Sequence, residues 1–178
     1  MLDITGRQIV TVFGSADPPA GSEQYELARA VGRVLACQGY GLANGGYGGT
    51  MEASARGAKE ARGLTVGVTC RMWKSKPNAY IDRVEQTDDL PARLDKLISL
   101  GCGGYVVLPG ATGTLVELAM VWELKAKRFL PPVPIVCLGE FWKPLLNIMA
   151  TARPGIERAV RIVDTPENLR AIFPAQQT

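Results

Sequence analysis

The chain has 178 residues, of which 47% are hydrophobic and 21% charged, a balance that is typical of a globular protein and excludes a disordered one. This length suits one domain, which we predict to comprise residues 1–178. The formal net charge of +3 is spread along the sequence, so we expect no nucleic-acid partner. Since no apolar run is long enough for a membrane span and residues 1–7 lack a signal-peptide pattern, we expect a cytoplasmic protein without a membrane partner.

Short apolar strands alternate with amphipathic helices along the chain. Strands are predicted over residues 8–14, 40–43, 64–70, 105–108 and 133–138, and helices over residues 22–38, 51–61, 88–100, 115–129 and 140–150. Residues 71–82 mix basic and aromatic side chains without a period and are interpreted as a loop, and residues 161–163 as an edge strand. The alternation predicts an α/β fold, a doubly wound parallel sheet with helices on both faces.

The sequence has four cysteines and no histidine. The cysteines are widely spaced in apolar segments, which favours buried free thiols over disulfides or metal ligands. They are Cys37, Cys70, Cys102 and Cys137. Without histidine, the usual general base at neutral pH and the commonest metal ligand are both missing. Histidine-dependent catalytic triads and zinc chemistry are therefore excluded, and we expect no metal site.

Three glycine turns follow predicted strands, at residues 14–15, 45–50 and 109–114. Doubly wound sheets bind ligands outside the carboxyl ends of their strands, so we expect the three turns to converge. The second turn has neither the ending of a Walker motif nor the GxGxxG pattern. Its glycines either let the backbone line a nucleotide site or are required because side chains would not fit in the turn. Ser15, Gly45 and Gly46 are candidate ligand contacts in the first two turns.

The third turn has the composition of a phosphate site. Glycine allows the backbone to approach a ligand closely, and the first amides of a helix are unpaired donors at the positive end of its dipole. The two threonines add hydroxyl donors. The candidate contacts are Gly110, Ala111, Thr112, Gly113 and Thr114. The alternative is a tight strand-to-helix turn in which Thr114 is a plain helix cap.

Two charged residues near this turn are candidates for catalysis. Glu117 lies three residues beyond Thr114 and would face the same ligand, although the pair also fits an ordinary Thr-x-x-Glu capping box. Arg93 lies on the helix that leads into the strand before the turn. A solvated helix arginine is the usual interpretation of such a residue. Spacing alone does not separate these alternatives.

Residues 109–117 carry a resemblance to a known family. They read Pro-Gly-Ala-Thr-Gly-Thr-Leu-Val-Glu and match eight of the nine positions of PGGxGTxxE, the hallmark of the LOG (Lonely Guy) family. The Gly-Ser pair at residues 14–15 and the glycine turn at residues 44–51 match further family marks, and the similarity extends over residues 10–129. LOG proteins are phosphoribohydrolases that release cytokinin bases from nucleoside monophosphates and are often mislabelled lysine decarboxylases.

The resemblance implies a Rossmann-like, nucleotide-binding fold and an enzyme that needs no cofactor. It would cleave the N-glycosidic bond of a nucleoside 5′-monophosphate, a cytokinin ribotide or AMP, into free base and ribose 5-phosphate. Arg93 and Glu117 map onto the catalytic pair of the family, and a homodimer or higher homo-oligomer is implied. A non-catalytic nucleotide or molybdenum-cofactor carrier of the same superfamily is the alternative. Ala111 departs from the hallmark glycine and would strain the turn if that position needed a positive φ.

Overall fold

A computed structural model describes residues 6–176 of the chain. Residues 1–5, in the segment inspected for a signal peptide, lie outside this range. The elements are β1 (Ile9–Phe13), α1 (Glu23–Cys37), β2 (Gly41–Asn44), α2 (Thr50–Glu60), β3 (Thr65–Cys70), β4 (Arg83–Thr87), α3 (Leu90–Leu100), β5 (Gly104–Val107), α4 (Thr112–Ala126), β6 (Ile135–Leu138), α5 (Lys143–Ala152), β7 (Arg161–Val163) and α6 (Leu169–Ile172). No helix within residues 6–176 is long and apolar enough to cross a membrane.

The strands of residues 6–176 form one seven-stranded sheet in the order β4-β3-β2-β1-β5-β6-β7, and every pairing is parallel. The chain runs outward from β1 to β4, crosses back, and adds β5 on the other side of β1. The crossing makes the carboxyl ends of β1 and β5 a topological switch point, the position where doubly wound folds bind ligands. The predicted fold class, a doubly wound parallel sheet, is confirmed.

Each face of the sheet is covered by its own helices because side chains alternate along a strand. Val10 and Val12 pack against α1 and α2 on one face. Phe13 and Tyr105 pack against α3, α4 and α5 on the other. The candidate residues Arg93 and Glu117 lie on α3 and α4, so both belong to the second face.

Glycines bring α1 and α2 into close contact. A Cβ atom on Gly32 would lie 1.9 Å from the carbonyl oxygen of Ser54, and one on Gly57 would lie 1.8 Å from that of Arg29. These neighbours are backbone atoms, which cannot rotate away as a flexible side chain can. Even one added methyl group therefore has to push the two helices apart.

We expect the substitution Gly32→Ala to lower the free energy of unfolding by about 2 kcal/mol, a typical cost of overpacking that exceeds the helix-propensity gain of alanine. Urea unfolding followed by circular dichroism measures it. Gly113→Ala is the matched control, because a Cβ there meets nothing within 4 Å. Equal stabilities of the two variants would contradict the packing argument.

Several elements differ from their predictions: β4 and α6 were not predicted, and α5 begins at Lys143, three residues after its predicted start. Strand β4 was missed because its sequence, Arg-Val-Glu-Gln-Thr, is that of an exposed edge strand without an apolar run. Helix α4 begins at Thr112, three residues before the predicted start. The predicted loop at residues 71–82 and the edge strand at residues 161–163 are confirmed.

The cysteines match their prediction only in part. All four are free, as expected. Cys70 and Cys137 are buried and Cys102 is partly buried, where its sulfur accepts a hydrogen bond from the amide of Ile9 at 3.3 Å. Cys37 is exposed, so its predicted burial is wrong. It is the last residue of α1 and faces solvent there.

Candidate active site

A cavity of about 350 Å³ opens at the carboxyl edge of the sheet, within the size range of small-molecule sites. The turn after β1 lines it with residues 14–17, and the turn after β2 contributes Tyr47. Ala111, Gly113 and Thr114 line it from the turn after β5 and the start of α4. The three glycine turns therefore converge as predicted.

The start of α4 presents free backbone donors at this cavity. Ala111 is the N-cap, and no side chain caps the helix. The amide of Leu115 bonds back to the carbonyl of Ala111 at 3.0 Å, so the amides of residues 112–114 precede the first such bond. Both predicted capping alternatives are wrong, because Thr114 is the third residue of the helix and neither caps it nor forms a capping box. The amides and the helix dipole together favour an anion.

The alanine that replaces the hallmark glycine fits this turn without strain. Ala111 has φ −89° and ψ −154°, an extended conformation open to any residue. The strain expected for a positive φ does not arise. The adjoining Gly110 is constrained instead by packing, because a Cβ atom there would lie 2.2 Å from Oγ1 of the buried Thr114.

The remaining candidates of this turn line neighbouring concavities. Gly110 and Ala111 border a second cavity of about 480 Å³, which Ser15 and Asp17 also line. Thr112 borders a groove of about 220 Å³ that also contains Arg93, Gly113 and Glu117. The turn is thus accessible from several sides.

Arg93 and Glu117 face each other at the cavity. The Nη1 atom of Arg93 lies 3.6 Å from Oε1 of Glu117, and the two side chains are only 7% and 12% exposed. The Nε atom of Arg93 donates a hydrogen bond of 2.8 Å to the carbonyl of Val68 on β3. The interpretation of Arg93 as a solvated helix residue is therefore wrong.

Burial dominates the charge state of this pair. It raises the pKa of Glu117 to about 7, and the nearby Arg93 guanidinium offsets the rise only in part. Burial also lowers the pKa of Arg93, against the attraction of Glu117. Glu60 is the contrasting case, because hydrogen bonds from Arg29 and Arg33 on the surface lower its pKa to about 2. The Glu117 carboxyl therefore exchanges its proton near neutral pH.

This raised pKa predicts a pH-dependent stability. Since the native carboxyl holds its proton up to about pH 7 and the unfolded one only to about 4.5, its stabilising contribution is present below pH 4.5 and is lost as the pH rises through 7. Glutamine does not ionise, so Glu117→Gln does not lose stability in this way as the pH rises. The free energy of unfolding of the variant, relative to that of the wild type, should therefore rise by up to about 3 kcal/mol from acidic pH to pH 8, at 1.36 kcal/mol per pKa unit. Urea unfolding at several pH values measures the difference, and a pH-independent difference would contradict the raised pKa.

Gly45 and Gly46 lie behind the cavity. Both are buried. A Cβ atom on Gly45 would lie 2.0 Å from Nη2 of Arg93, so the absence of a side chain makes room for the guanidinium. Gly46 has φ +78°, a conformation that favours glycine, and its carbonyl accepts a hydrogen bond of 2.8 Å from the amide of Asn78. Neither glycine lines the cavity: Gly45 makes room for Arg93, and Gly46 holds Asn78 of the loop after β3.

Ser15 lies at the cavity and is tied to its neighbours. Its hydroxyl donates a hydrogen bond of 2.7 Å to Oδ2 of Asp17. Its carbonyl accepts from the amide and the hydroxyl of Thr50, at 2.9 and 3.0 Å. These bonds fix the turn after β1 to the start of α2.

Several cavity residues were not predicted from the sequence. They are Asp17, Tyr47, Met51, Trp73 and Ser75. Tyr47 lies inside the second turn and Asp17 lies two residues beyond the first, so their neighbourhood was a usable signal. Trp73 and Ser75 belong to the loop after β3, whose sequence has no period. Only the fold brings that loop to the cavity.

The fold and the site define a Rossmann-like α/β protein with a cavity at the switch point of its sheet. The chain belongs to the SLOG cluster4 family, whose model matches residues 7–168. The predicted resemblance to LOG proteins is thereby confirmed.

Three similar proteins illustrate the range of the relatives. A cytokinin riboside 5′-monophosphate phosphoribohydrolase of Mycobacterium tuberculosis is 31% identical, and the match covers 98% of each chain. An uncharacterized protein of Archaeoglobus fulgidus is 39% identical over 76% of this chain and 88% of its own. The solved structure of the molybdenum cofactor carrier protein of Chlamydomonas reinhardtii superposes with a TM-score of 0.72 at 27% identity, covering 93% of this chain and 94% of its own.

Proposed function

We propose that this protein hydrolyses the N-glycosidic bond of a nucleoside 5′-monophosphate and releases a free base and ribose 5-phosphate. The observation that carries the proposal is the buried carboxyl of Glu117, 3.6 Å from Arg93, at a cavity that also contains the uncapped start of α4. The name of the Mycobacterium tuberculosis relative supports the same reaction. Cytokinin ribotides and AMP are the first substrates to test.

In this proposal the start of α4 binds the 5′-phosphate. The amides of residues 112–114 donate to the phosphate oxygens, and the helix dipole adds a favourable field. Because the phosphate lies away from the bond that breaks, its binding energy serves to place the sugar against Glu117. Ser15 and Ala111 line the same cavity and complete the surroundings of the phosphate.

Glu117 acts at the anomeric carbon. Cleavage passes through an oxocarbenium-like sugar, whose positive charge a carboxylate stabilises. The same carboxylate takes a proton from the attacking water as the bond from carbon to the base nitrogen breaks. The base leaves with the electron pair and receives that proton, which returns Glu117 to its carboxylate form. A pKa of about 7 suits a group that accepts a proton at neutral pH. Arg93 favours the ionised form of Glu117 and orients it.

The test is a base-release assay on a panel of nucleoside 5′-monophosphates, with the free base separated by liquid chromatography. Wild-type protein should release base from at least one member of the panel. If it leaves every nucleotide intact, the enzyme proposal fails.

The second candidate function is a non-catalytic carrier of a nucleotide or of molybdenum cofactor. The likeness to the Chlamydomonas reinhardtii carrier favours it, at an identity close to that of the hydrolase relative. A carrier should keep a phosphorylated ligand through purification without turning it over. Native mass spectrometry of the purified protein detects such a ligand and separates the two functions.

Gly113→Ala tests the phosphate site without disturbing the fold. The added methyl group meets no atom of the protein within 4 Å, and Gly113 lines the cavity. We expect the variant to be as stable as the wild type, with a KM raised about tenfold by crowding of the bound phosphate, on the scale of one overpacked contact. The measurement is base release at varied substrate concentration. An unchanged KM would show that the phosphate does not bind at the start of α4.

We further propose that the protein works as a homodimer, as the LOG resemblance implies. Val116 and Met120 of α4 are exposed, as is Leu90 of α3, whereas Leu118 and Val121 are buried in the core. A second copy on the exposed apolar surface would remove it from water. Analytical ultracentrifugation decides the point, and a monomer at assay concentration would contradict it.

A further inference from the structure

The loop after β3 places an aromatic side chain over the candidate catalytic pair. The Trp73 ring centre lies 5.0 Å from Cζ of Arg93, and the Tyr47 ring centre lies 5.8 Å from the same atom. The two rings meet edge to face, with centres 5.6 Å apart. Their π faces attract a guanidinium cation and cover it from water.

Other contacts hold two nitrogens of the same guanidinium. The Nε atom is bonded to the carbonyl of Val68, and Nη2 packs against Gly45, where even a Cβ atom would not fit. The third nitrogen of the guanidinium, Nη1, faces Glu117. The 3.6 Å between Nη1 and Oε1 is longer than a charge-assisted hydrogen bond of about 2.8 Å. The contacts at Nε and Nη2, together with the rings packed on the guanidinium, hold Nη1 at this distance.

Trp73 provides the closer of the two ring contacts. It lines both the cavity and the groove that contain Arg93 and Glu117. Its loop is anchored on both sides, since the Trp73 amide bonds to the carbonyl of Cys70 and the Asn78 amide to that of Gly46. Trp73 itself is 42% exposed, so the indole forms the boundary between the pair and solvent. Trp73 belongs to none of the hydrophobic core clusters of residues 6–176.

We propose that Trp73 is a positioning residue that holds the Arg93 guanidinium at a fixed distance from Glu117 and shields the pair from water. The role in catalysis rests on the proposed hydrolysis, whereas the effect on the pair is a property of the protein alone. Loss of the indole admits water and lets the guanidinium approach the carboxylate. Both changes favour the ionised form of Glu117, so the pKa of Glu117 should fall from about 7 toward its usual value.

Other titratable groups face the pair and remain in place in the test. Tyr47 on the turn after β2 and Cys70 at the end of β3 interact with Arg93. Asp17, on the turn after β1, lines the same cavity. None of them lies in the Trp73 loop.

The experiment titrates Glu117 directly by ¹³C NMR of protein labelled at the glutamate side-chain carboxyls, without substrate. The Glu117 signal is identified by its loss in Glu117→Gln. Trp73→Ala should lower the pKa of Glu117 by about one unit or more. Trp73→Phe, which keeps a ring over the guanidinium, should retain the wild-type pKa. Met72→Ala is the matched control in the same loop, because Met72 is 68% exposed.

Three results would overturn the proposal. They are an unchanged pKa in Trp73→Ala, an equal fall in Met72→Ala, and a fall in Trp73→Phe as large as that in Trp73→Ala. Absence of base release in the wild type would refute the proposed hydrolysis but leave the NMR titration readable. If the wild type is active, the acid limb of its pH profile should move to lower pH in Trp73→Ala and stay in Trp73→Phe.

Discussion

Glu117→Gln is expected to lower the rate of base release about 1,000-fold, within the range that one acid–base group contributes. Glutamine keeps the shape of the side chain but neither accepts the proton of the attacking water nor stabilises the positive sugar with a charge. The fold and the phosphate contacts at the start of α4 remain. The expected signature is therefore a loss in kcat with little change in substrate binding.

Glu123→Gln is the matched control for this substitution. Glu123 lies on the same helix, and its side chain is 55% exposed, with Lys127 at 3.7 Å. It should have wild-type activity. Steady-state kinetics on the best substrate of the panel, with calorimetric binding of that substrate to each variant, measure both effects. Activity of Glu117→Gln above one tenth of the wild-type activity would show that Glu117 does not take part in the chemical step.

Arg93→Met is expected to lower base release at pH 7 about 100-fold and to move the acid limb of the pH profile upward by one unit or more. Methionine keeps an unbranched apolar stem but lacks the guanidinium, so the substitution takes a positive charge away from a buried carboxyl. Burial already raises the pKa of Glu117, and Arg93 opposes that rise. Without Arg93 the carboxyl holds its proton to higher pH and is inactive as a base near neutrality.

Part of the lost activity in Arg93→Met should return at pH 9, where the carboxyl ionises. Arg158→Met controls for the general loss of one positive charge, since the Arg158 side chain is 86% exposed and lies outside the cavity lining. A pH profile of kcat/KM for the three proteins tests the prediction. An acid limb at the same pH in Arg93→Met and wild type would show that Arg93 does not control Glu117. The acid limb moves up in Arg93→Met but down in Trp73→Ala. The two variants therefore distinguish loss of the Arg93 charge from loss of the ring that holds it.

The fold was predictable because its signals are local. Apolar strands and amphipathic helices alternate, and each glycine turn falls at a strand end, so the sheet and the meeting of the turns follow from short segments. Strand β4 has no such signal, since its charged residues alternate at an exposed edge. The start of α4 was placed too late because Thr112 and Gly113 are weak helix formers that a turn also accepts.

Some residues of the candidate site were predictable, but the contacts and the burial that set its electrostatics were not. The hallmark motif drew attention to Glu117, and the family resemblance drew attention to Arg93. The burial of Arg93 depends on Val68, on Gly45 and on two rings from separate loops, which are distant in sequence. Spacing along one helix carries no information about those contacts. For the same reason Trp73 looked like an ordinary residue of an aperiodic loop.

The exposed Cys37 is a site at which the protein can be labelled to measure its self-association. It ends α1, a helix that follows β1 and returns across the sheet, so the thiol lies at the amino edge, remote from the cavity mouth. Cys70 and Cys137 are buried, and Cys102 is partly so. We expect a maleimide fluorophore to couple first at Cys37 and to leave the entrance for ligands open. The labelled protein would then report self-association by fluorescence anisotropy while its ligand site stays free.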